Sequence, residues 1–262
     1  MPKNVLAIGP HADDLTIWAG GFLKKLTSEG NKLICVRITN DYGDCKGKTP
    51  DEAIKLNRIE AEKAYEVLGA FKTIHLNYPT DTLVSVDYLK LRGKLVYLIR
   101  KYRPDIVVSF DMNYGINEEN MDHIITGRAV NEACWQAAVE NFYPDHLEEG
   151  LDIHYVGERY LFARNPTVVN YKVDISNYIR DKIKAISQHK TVLENFFFQY
   201  KLIARANGLK IDLLEDESIS NETRVKLFVR SVFGKVGGEF GAKYGEVFNR
   251  IGAGILEEFA SD

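Results

Sequence analysis

This sequence of 262 residues has few cysteines, no long apolar run and no large excess of charge of either sign. Its cysteines are odd in number and widely spaced, which suits neither a disulfide framework nor a thiolate metal site: Cys35, Cys45 and Cys134. A formal net charge of -3 does not favour nucleic acid or an anionic membrane as a partner. No apolar stretch approaches the roughly 18 residues that cross a bilayer, and the apolar start is too short for a signal peptide. These features predict a protein of the reducing cytoplasm with no nucleic-acid or membrane partner.

Internal repeats, low-complexity segments and domain linkers are also missing from the sequence. A chain of this length can form one large α/β domain, and we therefore predict a single domain over residues 1–262. No Gly-x-Gly-x-x-Gly pattern follows the first predicted strand, so a dinucleotide cofactor is not indicated.

Short β-prone apolar runs alternate with helical patterns through the first part of the chain. Strands joined by helices lie parallel with right-handed connections, so this alternation predicts an α/β fold. The expected architecture is a Rossmann-like, mostly parallel sheet with helices on both faces. The predicted strands are residues 4–9, 32–39, 71–76 and 106–110, and the predicted helices are 16–28, 51–68 and 85–102. The later part predicts a helix over 121–140, strands over 155–163 and 168–175, a long helix over 176–198, an exposed loop over 207–221 and a mostly helical tail over 224–259.

Polar side chains gather in the loops after the first and fourth predicted strands. His11, Asp13 and Asp14 follow the first strand, and His123 follows the fourth. In a doubly wound sheet both loops open at the same edge, so they become neighbours if their strands are adjacent. His11, Asp14 and His123 would then supply the two imidazoles and one carboxylate of a catalytic zinc site, which leaves a position for water. Asp13 could accept the proton of that water as a general base.

Each of these residues also has a structural interpretation. Aspartate is a common helix N-cap, so Asp13 or Asp14 could simply cap the helix that follows. Asp122 could in the same way cap the helix that contains His123, and a histidine near a helix start is frequently structural. A metal site is favoured because both clusters fall at one edge of the predicted sheet.

The first cluster closely resembles the signature of the PIG-L/LmbE-like zinc-dependent N-deacetylases. Those enzymes carry His-Pro-Asp-Asp-Glu at the place of His11-Ala12-Asp13-Asp14-Leu15, and here the motif is followed by a helix with Gly20-Gly21. The resemblance covers nearly the whole chain and is weakest beyond residue 190. The further similar segments are residues 40–43, 58–61, 67–69, 103–107, 122–123, 127–130 and 173–176.

The resemblance implies an activity and a role for particular residues. It implies His11, Asp14 and His123 as the ligands of one Zn²⁺ or other divalent ion per chain, with Asp13 as general base. The implied reaction is the hydrolysis of an N-acetyl amide. The usual substrate of the family is an N-acetylglucosamine unit in a glycoside or conjugate. Trimers and hexamers are common in the family, so a homo-oligomer is expected.

The chain departs from the family pattern at three positions. Asn120 stands where the family usually has a histidine, thought to stabilise the oxyanion or protonate the amine. An amide can donate a hydrogen bond but cannot shuttle a proton at neutral pH. Leu15 replaces the usual Glu, and Ala12 replaces Pro. His189 continues an apolar helical stripe and is predicted to face inward, either as a substitute acid or as a hydrogen-bonded core histidine. Asn120 and His189 therefore join Asp13 as candidate catalytic residues.

Polar residues at the same sheet edge are candidates for substrate binding. Arg58, on the second helix, matches a family position that tends to contact substrate. The candidate set is Asp41, Tyr42, Arg58, Asp81 and Asn113. Trp18 and Trp135 lie on predicted helices and are interpreted as core or interface residues, not as sugar platforms. The remaining histidines are interpreted as structural: His75, His146 and His154.

These patterns together predict a zinc-dependent N-deacetylase of an amino-sugar compound. Two alternatives stay open because Asn120 replaces the usual histidine. The protein could be an N-acyl hydrolase for a non-sugar substrate, or a catalytically weakened homologue that binds a sugar.

Overall fold

Within the described residues, seven strands form one sheet at the centre of the protein. The computed structural model describes residues 1–113 and 115–259. The strands are β1 (Asn4–Gly9), β2 (Lys32–Thr39), β3 (Ala70–Tyr78), β4 (Ile106–Phe110), β5 (Glu158–Phe162), β6 (Tyr171–Asp174) and β7 (Gly245–Ile251). The first four agree with the predicted strands to within two residues at each end.

The strand order places the loops after β1 and β4 side by side. The order across the sheet is β3-β2-β1-β4-β5-β7-β6. Strands β1 to β5 pair in parallel, whereas β7 runs antiparallel to both β5 and β6. The predicted mostly parallel sheet is therefore confirmed. The strand order reverses between β1 and β4, and such a reversal opens the crevice in which α/β sheets bind ligands.

Helices cover both faces of the sheet. They are α1 (Asp14–Ser28), α2 (Pro50–Val67), α3 (Tyr88–Tyr102), α4 (Met121–Gln136), α5 (Asp145–Glu148), α6 (Ile179–Ile186), α7 (Lys190–Ala206), α8 (Asp212–Glu215) and α9 (Asn221–Gly238), with 3-10 turns at Leu83–Ser85, Ser176–Tyr178 and Gly254–Phe259. Successive strand residues point to opposite faces, so Val5 and Ala7 belong to one apolar core and Leu6 and Ile8 to the other. Helices α1, α2, α6, α7 and α9 pack on the first core, and α3 and α4 pack on the second.

Two glycines allow helices to approach their neighbours closely. A Cβ on Gly127 of α4 would lie 2.8 Å from the carbonyl oxygen of Asp111. A Cβ on Gly21 of α1 would lie 2.7 Å from the side chain of Ile175. The absence of a side chain therefore sets the position of α4, the helix that carries His123.

The predicted single helix over residues 176–198 is wrong, because α6 and α7 are separate. His189, between them, has φ -76° and ψ 59°, which lies outside the helical region. The backbone N–H and the hydroxyl of Thr191 donate to the Glu60 carboxylate, at 2.8 and 3.1 Å. Glu60 lies on α2, so the start of α7 is capped by a tertiary contact that the local sequence pattern does not show.

The predicted mostly helical tail over residues 224–259 is also wrong, because β7 follows α9 within it. Strand β7 inserts between β5 and β6 and buries Glu246 and Asn249, which are 1% and 7% exposed. Buried polar side chains hide the apolar pattern by which a central strand is predicted. The other differences are smaller: the helix over 121–140 ends at Gln136, the strands over 155–163 and 168–175 are shorter, and α8 lies in the loop over 207–221.

A buried ion pair ties α1 to α6 and β7. Lys182 Nζ lies 2.6 Å from Glu246 Oε1, and both side chains are fully buried. The Glu246 carboxylate accepts hydrogen bonds from the backbone N–H groups of Gly21 and Phe22, at 2.8 and 2.7 Å. Lys182 also donates to the carbonyl oxygen of Thr16, at 3.3 Å. The ion pair therefore holds the N-terminal part of α1 against α6 and β7.

Strands from both ends of the chain, β1 and β7, lie in the same sheet. This supports a single domain over residues 1–262, which stays a prediction. Within the described part of the chain, no helix combines the length and the apolarity needed to cross a bilayer.

Candidate metal centre

Three side chains of metal-ligand type converge where β1 and β4 end. His11 and Asp14 lie at the turn from β1 into α1, and His123 lies in the first turn of α4. His11 Nδ1 is 3.2 Å from Asp14 Oδ2 and 3.2 Å from His123 Nε2, and His123 Nε2 is 3.5 Å from Asp14 Oδ1. All three residues are buried. The pairing of β1 with β4 thus brings the predicted ligands together from distant parts of the chain.

These distances fit a four-coordinate metal ion. Bonds of about 2.0–2.1 Å at tetrahedral angles place neighbouring ligand atoms about 3.3 Å apart. Two imidazole nitrogens that face each other at 3.2 Å can share only one proton, and a cation between them satisfies both lone pairs. Three protein ligands leave one coordination position open, which is the arrangement of a catalytic site.

The second ring nitrogen of His11 faces a carboxylate that fixes the ring. His11 Nε2 lies 3.4 Å from Asp122 Oδ2. The Asp122 carboxylate also accepts from the backbone N–H groups of Asp81 and Leu83, at 2.7 and 3.1 Å. Burial lowers the pKa of His11, but the hydrogen bonds to Asp122 and Asp14 outweigh it, and the pKa stands well above its ordinary value. The negative charges of Asp122 and Asp14 also favour a cation at Nδ1 of His11.

His123 is held in a similar way by Glu118, a residue that no sequence pattern singles out. Glu118 Oε2 lies 3.0 Å from His123 Nδ1, and the Glu118 side chain is 1% exposed. The His123 ring stacks on Phe110, with ring centroids 4.1 Å apart. Burial raises the pKa of Glu118, but the contact with His123 outweighs it, so the pKa lies below its ordinary value. A charged Glu118 orients Nε2 of His123 toward the site, as carboxylates behind metal-bound histidines do.

Replacing Glu118 by Gln is expected to weaken metal binding by about 10- to 100-fold, because the imidazole loses the charged partner that orients it. Competition with a chromogenic chelator measures the affinity. Glu119→Gln is the matched control, since Glu119 is exposed and next in sequence. An affinity equal to that of the unaltered protein would contradict the role given to Glu118.

Asp13 lies beside the three ligands with its carboxylate free. Asp13 occupies the N-cap position of α1, which begins at Asp14, but its side chain makes no capping hydrogen bond. The residue lines the same cavity as the ligands, and within the described residues its carboxylate has no hydrogen-bond partner. Burial and the charges of Asp14 and Asp44 raise its pKa well above the ordinary value. An unpaired carboxylate with raised proton affinity suits a general base.

Asn120 caps α4 and also faces the cavity. Its Oδ1 accepts a hydrogen bond from the backbone N–H of Asp122 at 2.8 Å, so Asn120, and not Asp122, is the N-cap. The side-chain NH₂ group of Asn120 has no partner in the part of the chain that the structure describes, and the residue lines the cavity. Because the cap occupies the oxygen, the amide has its donor side free for a ligand.

His189 is buried, as predicted, but it does not line the cavity. Its Nε2 lies 3.1 Å from the hydroxyl of Thr16, which donates to the carbonyl oxygen of Asp13 at 2.7 Å. Burial, followed by the charge of Arg37, lowers the pKa of His189 to about 3. The position of His189 outside the cavity therefore favours the hydrogen-bonded core histidine over the substitute acid. His189 instead supports the turn that carries Asp13.

Asp41 supports the loop that carries His11 and Asp14, and its side chain faces the interior of the protein. Its carboxylate is fully buried and accepts from the Ala12 N–H at 3.1 Å, the Thr39 hydroxyl at 2.9 Å and Arg37 Nη1 at 3.0 Å. Its φ of 55° lies in the left-handed region, which Asp enters more readily than most residues. All of these contacts point inward, so the position of Asp41 does not support the predicted contact with substrate.

Asp81 is the one predicted substrate-binding residue that lines the cavity. Arg58 has a 55% exposed side chain and pairs with Glu62 on its own helix at 3.2 Å. Asn113 and Tyr42 are exposed on loops outside the cavity. The predicted substrate contacts of Arg58, Asn113 and Tyr42 are therefore not supported by their positions.

The cavity beside the ligands has a volume of about 160 Å³. Asp44 and Arg164 line it without having been predicted, and burial raises the pKa of Asp44 to about 6. Trp18 packs against the apolar core, as predicted, and it also lies on the cavity wall. The rest of that wall comes from Ile17 of α1 and from Val192, Asn195, Phe196 and Gln199 of α7.

Comparison with known proteins assigns the same segment to a family. Residues 6–134 match the family described as PIG-L: GlcNAc-PI de-N-acetylase. The diacetylchitobiose deacetylase of Thermococcus kodakarensis is 35% identical over 195 residues, which cover 72% of this chain and 70% of that protein. The chain belongs to the PIG-L family. This PIG-L protein is thus an amidohydrolase that acts on N-acetyl groups.

More distant relatives show the breadth of the fold. The 1D-myo-inositol 2-acetamido-2-deoxy-alpha-D-glucopyranoside deacetylase of Mycobacterium sp. (strain KMS) is 26% identical over 230 residues, covering 72% of this chain and 73% of that one. The N,N'-diacetylchitobiose deacetylase structure from Pyrococcus horikoshii matches with a TM-score of 0.77 at 27% identity, over 97% of this chain and 85% of that one. The 4-carboxy-2-hydroxymuconate hydratase GalB of Pseudomonas putida KT2440 shares the fold, with a TM-score of 0.69 at 18% identity, over 95% of this chain and 96% of that one. The fold alone therefore does not determine the reaction, which must be argued from the site.

Proposed function

We propose that this protein is a zinc-dependent hydrolase that removes the acetyl group from an N-acetylglucosamine-type amino sugar or conjugate. The observation that carries the proposal is the convergence of His11, Asp14 and His123 to within 3.2–3.5 Å, beside the unpaired carboxylate of Asp13. The deacetylase relatives support the substrate class, since they act on diacetylchitobiose and on an inositol glucopyranoside.

Each residue of the site has its own role in the proposed reaction. Zinc on the three ligands would polarise the acetyl carbonyl and make water easier to deprotonate. Asp13 takes a proton from the attacking water, whose oxygen forms a bond to the acetyl carbon. Asn120 donates from its side-chain NH₂ group to the carbonyl oxygen as negative charge develops there. The C–N bond then breaks as Asp13 returns the proton to the nitrogen; a free amine and acetic acid leave, and the acid ionises to acetate in solution.

The position of Asn120 favours an active enzyme over a weakened sugar-binding homologue. Its free amide can provide the electrostatic part of the role that the family gives to a histidine. The proton for the amine can come from Asp13, whose pKa is raised by burial and by Asp14 and Asp44. No separate acid is then required, which agrees with the position of His189 outside the cavity.

Replacing Asn120 by Asp is expected to lower kcat by about 10²-fold or more, because an acceptor then stands where the carbonyl oxygen needs a donor. Asp keeps an oxygen that can cap α4, so the melting temperature serves as the control for folding. Amine release measures kcat. A kcat equal to that of the unaltered protein would remove Asn120 from the mechanism.

Amine release from a panel of acetylated compounds tests the proposed function. The panel contains N-acetylglucosamine, its disaccharide, an inositol conjugate and N-acetylated amino acids as the non-sugar arm. We expect free amine and acetate in equal amounts from the sugar compounds. Turnover of the amino acids alone would favour the non-sugar hydrolase. Binding of sugars without turnover, in the presence of zinc, would favour the weakened homologue.

We further propose that the protein acts in the cytoplasm as a homo-oligomer, a trimer or a hexamer. The buried free thiols of Cys35 and Cys134 suit a reducing compartment. Large apolar side chains are exposed, including Phe71 at 66% and Leu89 at 58%, and they are candidates for subunit contacts. Sedimentation velocity tests the oligomer, and a monomer at micromolar concentration would contradict it.

A further inference from the structure

Carboxylates dominate the charge of the cavity beside the candidate metal ligands. Among the lining residues that the structure describes, Arg164 is the one Lys or Arg, whereas four carboxylates line the same cavity: Asp13, Asp14, Asp44 and Asp81. The reaction develops negative charge on the acetyl carbonyl oxygen, and negative neighbours disfavour that charge. A cation in the cavity wall therefore has an electrostatic role that the steps above do not use.

Arg164 follows β5 closely, at the edge of the sheet where the candidate metal ligands converge. Strand β5 pairs in parallel with β4, so the loops that leave the two strands are neighbours. The backbone N–H of Asp111 donates to the carbonyl oxygen of Phe162 at 2.8 Å. The backbone N–H of Ile116 donates to the carbonyl oxygen of Asn165, also at 2.8 Å. The backbone on both sides of Arg164 is thus fixed to the loop that follows β4.

The guanidinium group of Arg164 lies on the same side of the cavity as Asn120, with its N–H groups free. Its Nη1 is 4.0 Å from Glu118 Oε1, which is beyond hydrogen-bond distance. The same Glu118 oxygen accepts from the backbone N–H of Asn120 at 3.0 Å. Within residues 1–113 and 115–259, the Arg164 side chain donates no hydrogen bond. Its donors therefore remain available to a ligand that also contacts Asn120.

A guanidinium and an amide act differently on an oxygen that becomes negative. The side-chain NH₂ group of Asn120 is a neutral donor, whereas an arginine carries a permanent positive charge and a fork of N–H groups. Hydrogen bonds from a charged donor are roughly twice as strong as those between neutral groups. The Arg164 side chain is 43% exposed, so solvent screens part of its charge. Its effect on the rate should therefore be smaller than that of a fully buried cation.

We propose that Arg164 is a further catalytic residue, which donates from its guanidinium group to the acetyl carbonyl oxygen as negative charge develops there. The proposal rests on the proposed function, since it takes the reacting group to be an N-acetyl group at the metal ligands. No proton moves to or from Arg164, because a guanidinium group stays charged in proteins. Acetate, the ionised product, presents the same kind of negative oxygen and should bind to the same donor.

Replacing Arg164 by Gln is expected to lower kcat by about 10- to 100-fold, because the charged donor to the carbonyl oxygen is lost. KM should change by a clearly smaller factor, since the charge on that oxygen develops only as the reaction proceeds. Arg180→Gln is the matched control, because Arg180 is exposed on α6 and does not line the cavity. A kcat for Arg164→Gln equal to that for Arg180→Gln would overturn the proposal.

Guanidinium ions added to the Arg164→Ala protein should restore part of kcat, because a small cation can occupy the space of the missing side chain. The concentrations used must lie far below those that unfold the protein. Urea at the same concentration serves as the neutral control, since it has a similar shape but no charge. A loss of kcat that is merely structural would not respond to a soluble cation. Recovery with urea as well, or with neither compound, would contradict a role for the charge of Arg164.

A supporting role of Arg164 would instead act through Glu118, whose carboxylate faces His123 Nδ1 at 3.0 Å. Competition with a chromogenic chelator distinguishes the two roles, and the melting temperature serves as the control for folding. We expect the zinc affinity of Arg164→Gln to equal that of the unaltered protein. A zinc affinity lowered as far as in Glu118→Gln would make Arg164 a support of the metal ligands and would overturn its catalytic role.

A failure of the proposed function is recognised separately by calorimetric titration of the zinc-loaded protein with acetate. We expect Arg164→Gln to weaken acetate binding about tenfold, whereas Arg180→Gln should leave it unchanged. If the unaltered protein deacetylates no compound of the panel, this result still upholds Arg164 as a donor to a negative oxygen beside the metal ligands. Equal acetate affinities in the two variants, or no binding of acetate to the unaltered protein, would overturn the proposal.

Discussion

Replacing Asp13 by Asn is expected to lower kcat by about 10²- to 10⁴-fold while the metal stays bound. Asn has the same shape but cannot take a proton from water. Asp13 makes no capping bond and is not one of the three converging ligands, so neither the start of α1 nor the metal site depends on its charge. Amine release gives kcat, and metal analysis of the same sample gives the zinc content.

Asp44→Asn is the matched control for this change, because Asp44 is a second carboxylate on the same cavity. It is expected to lower kcat by a much smaller factor than Asp13→Asn. Equal losses of kcat in the two variants would mean that kcat depends on the negative charge of the cavity and not on a base at Asp13. Loss of zinc from Asp13→Asn would make Asp13 a ligand and would contradict its role as base.

Replacing Lys182 by Met is expected to lower the free energy of unfolding by about 3–5 kcal/mol, because the Glu246 carboxylate is then buried without its cation. Met keeps most of the length of the side chain, so the loss reports the charge more than the volume. Helix α1 should also be less firmly held, since Glu246 accepts from Gly21 and Phe22. Urea unfolding measures the change.

The double variant Lys182→Met/Glu246→Gln should be more stable than the sum of the single losses predicts, since no unpaired charge remains. Arg205→Met is the surface control, because Arg205 pairs with Glu215 in solvent and its loss should change stability much less. A loss for Lys182→Met no larger than that for Arg205→Met would contradict the role of the buried pair.

The part of the fold that forms the candidate metal centre could be predicted because it depends on local patterns. Strands β1 to β4 are apolar runs separated by helical patterns, and their connections determine a parallel arrangement. The adjacency of β1 and β4 was a condition of the zinc hypothesis, and their pairing satisfies it. The break at His189 and strand β7 could not be predicted, because tertiary contacts and buried polar residues decide them.

Residue type and loop position identified the groups that converge, but not the direction in which other side chains point. Asp41 and Asp81 both follow strands at the same edge, yet Asp41 turns inward to Arg37 while Asp81 faces the cavity. Arg58 pairs along its own helix with Glu62. The direction of the Asp41 side chain depends on the backbone conformation after β2, where its φ is 55°. The Arg58–Glu62 pair, in contrast, follows from a spacing of four residues on one helix.

The residues that support the candidate ligands have no sequence pattern that marks their role. Glu118 lies in an irregular loop, and nothing in its spacing from His123 marks it as a partner. The sequence pattern indicates Asp122 only as a possible helix cap, whereas its carboxylate faces the His11 ring. The spacing of Val192, Asn195, Phe196 and Gln199 does indicate one helix face, but the cavity beneath that face was not predictable.

The zinc content of the purified protein tests the central claim most directly. We expect one zinc ion per chain in the unaltered protein, loss of both the ion and amine release on treatment with a chelator, and recovery of both when zinc is returned. His123→Ala should bind no stoichiometric zinc, whereas His154→Ala, which changes a histidine far from the three ligands, should bind one ion per chain. The absence of bound zinc after zinc is supplied would contradict a metal centre built from His11, Asp14 and His123. One zinc ion per chain in His123→Ala would contradict it as well.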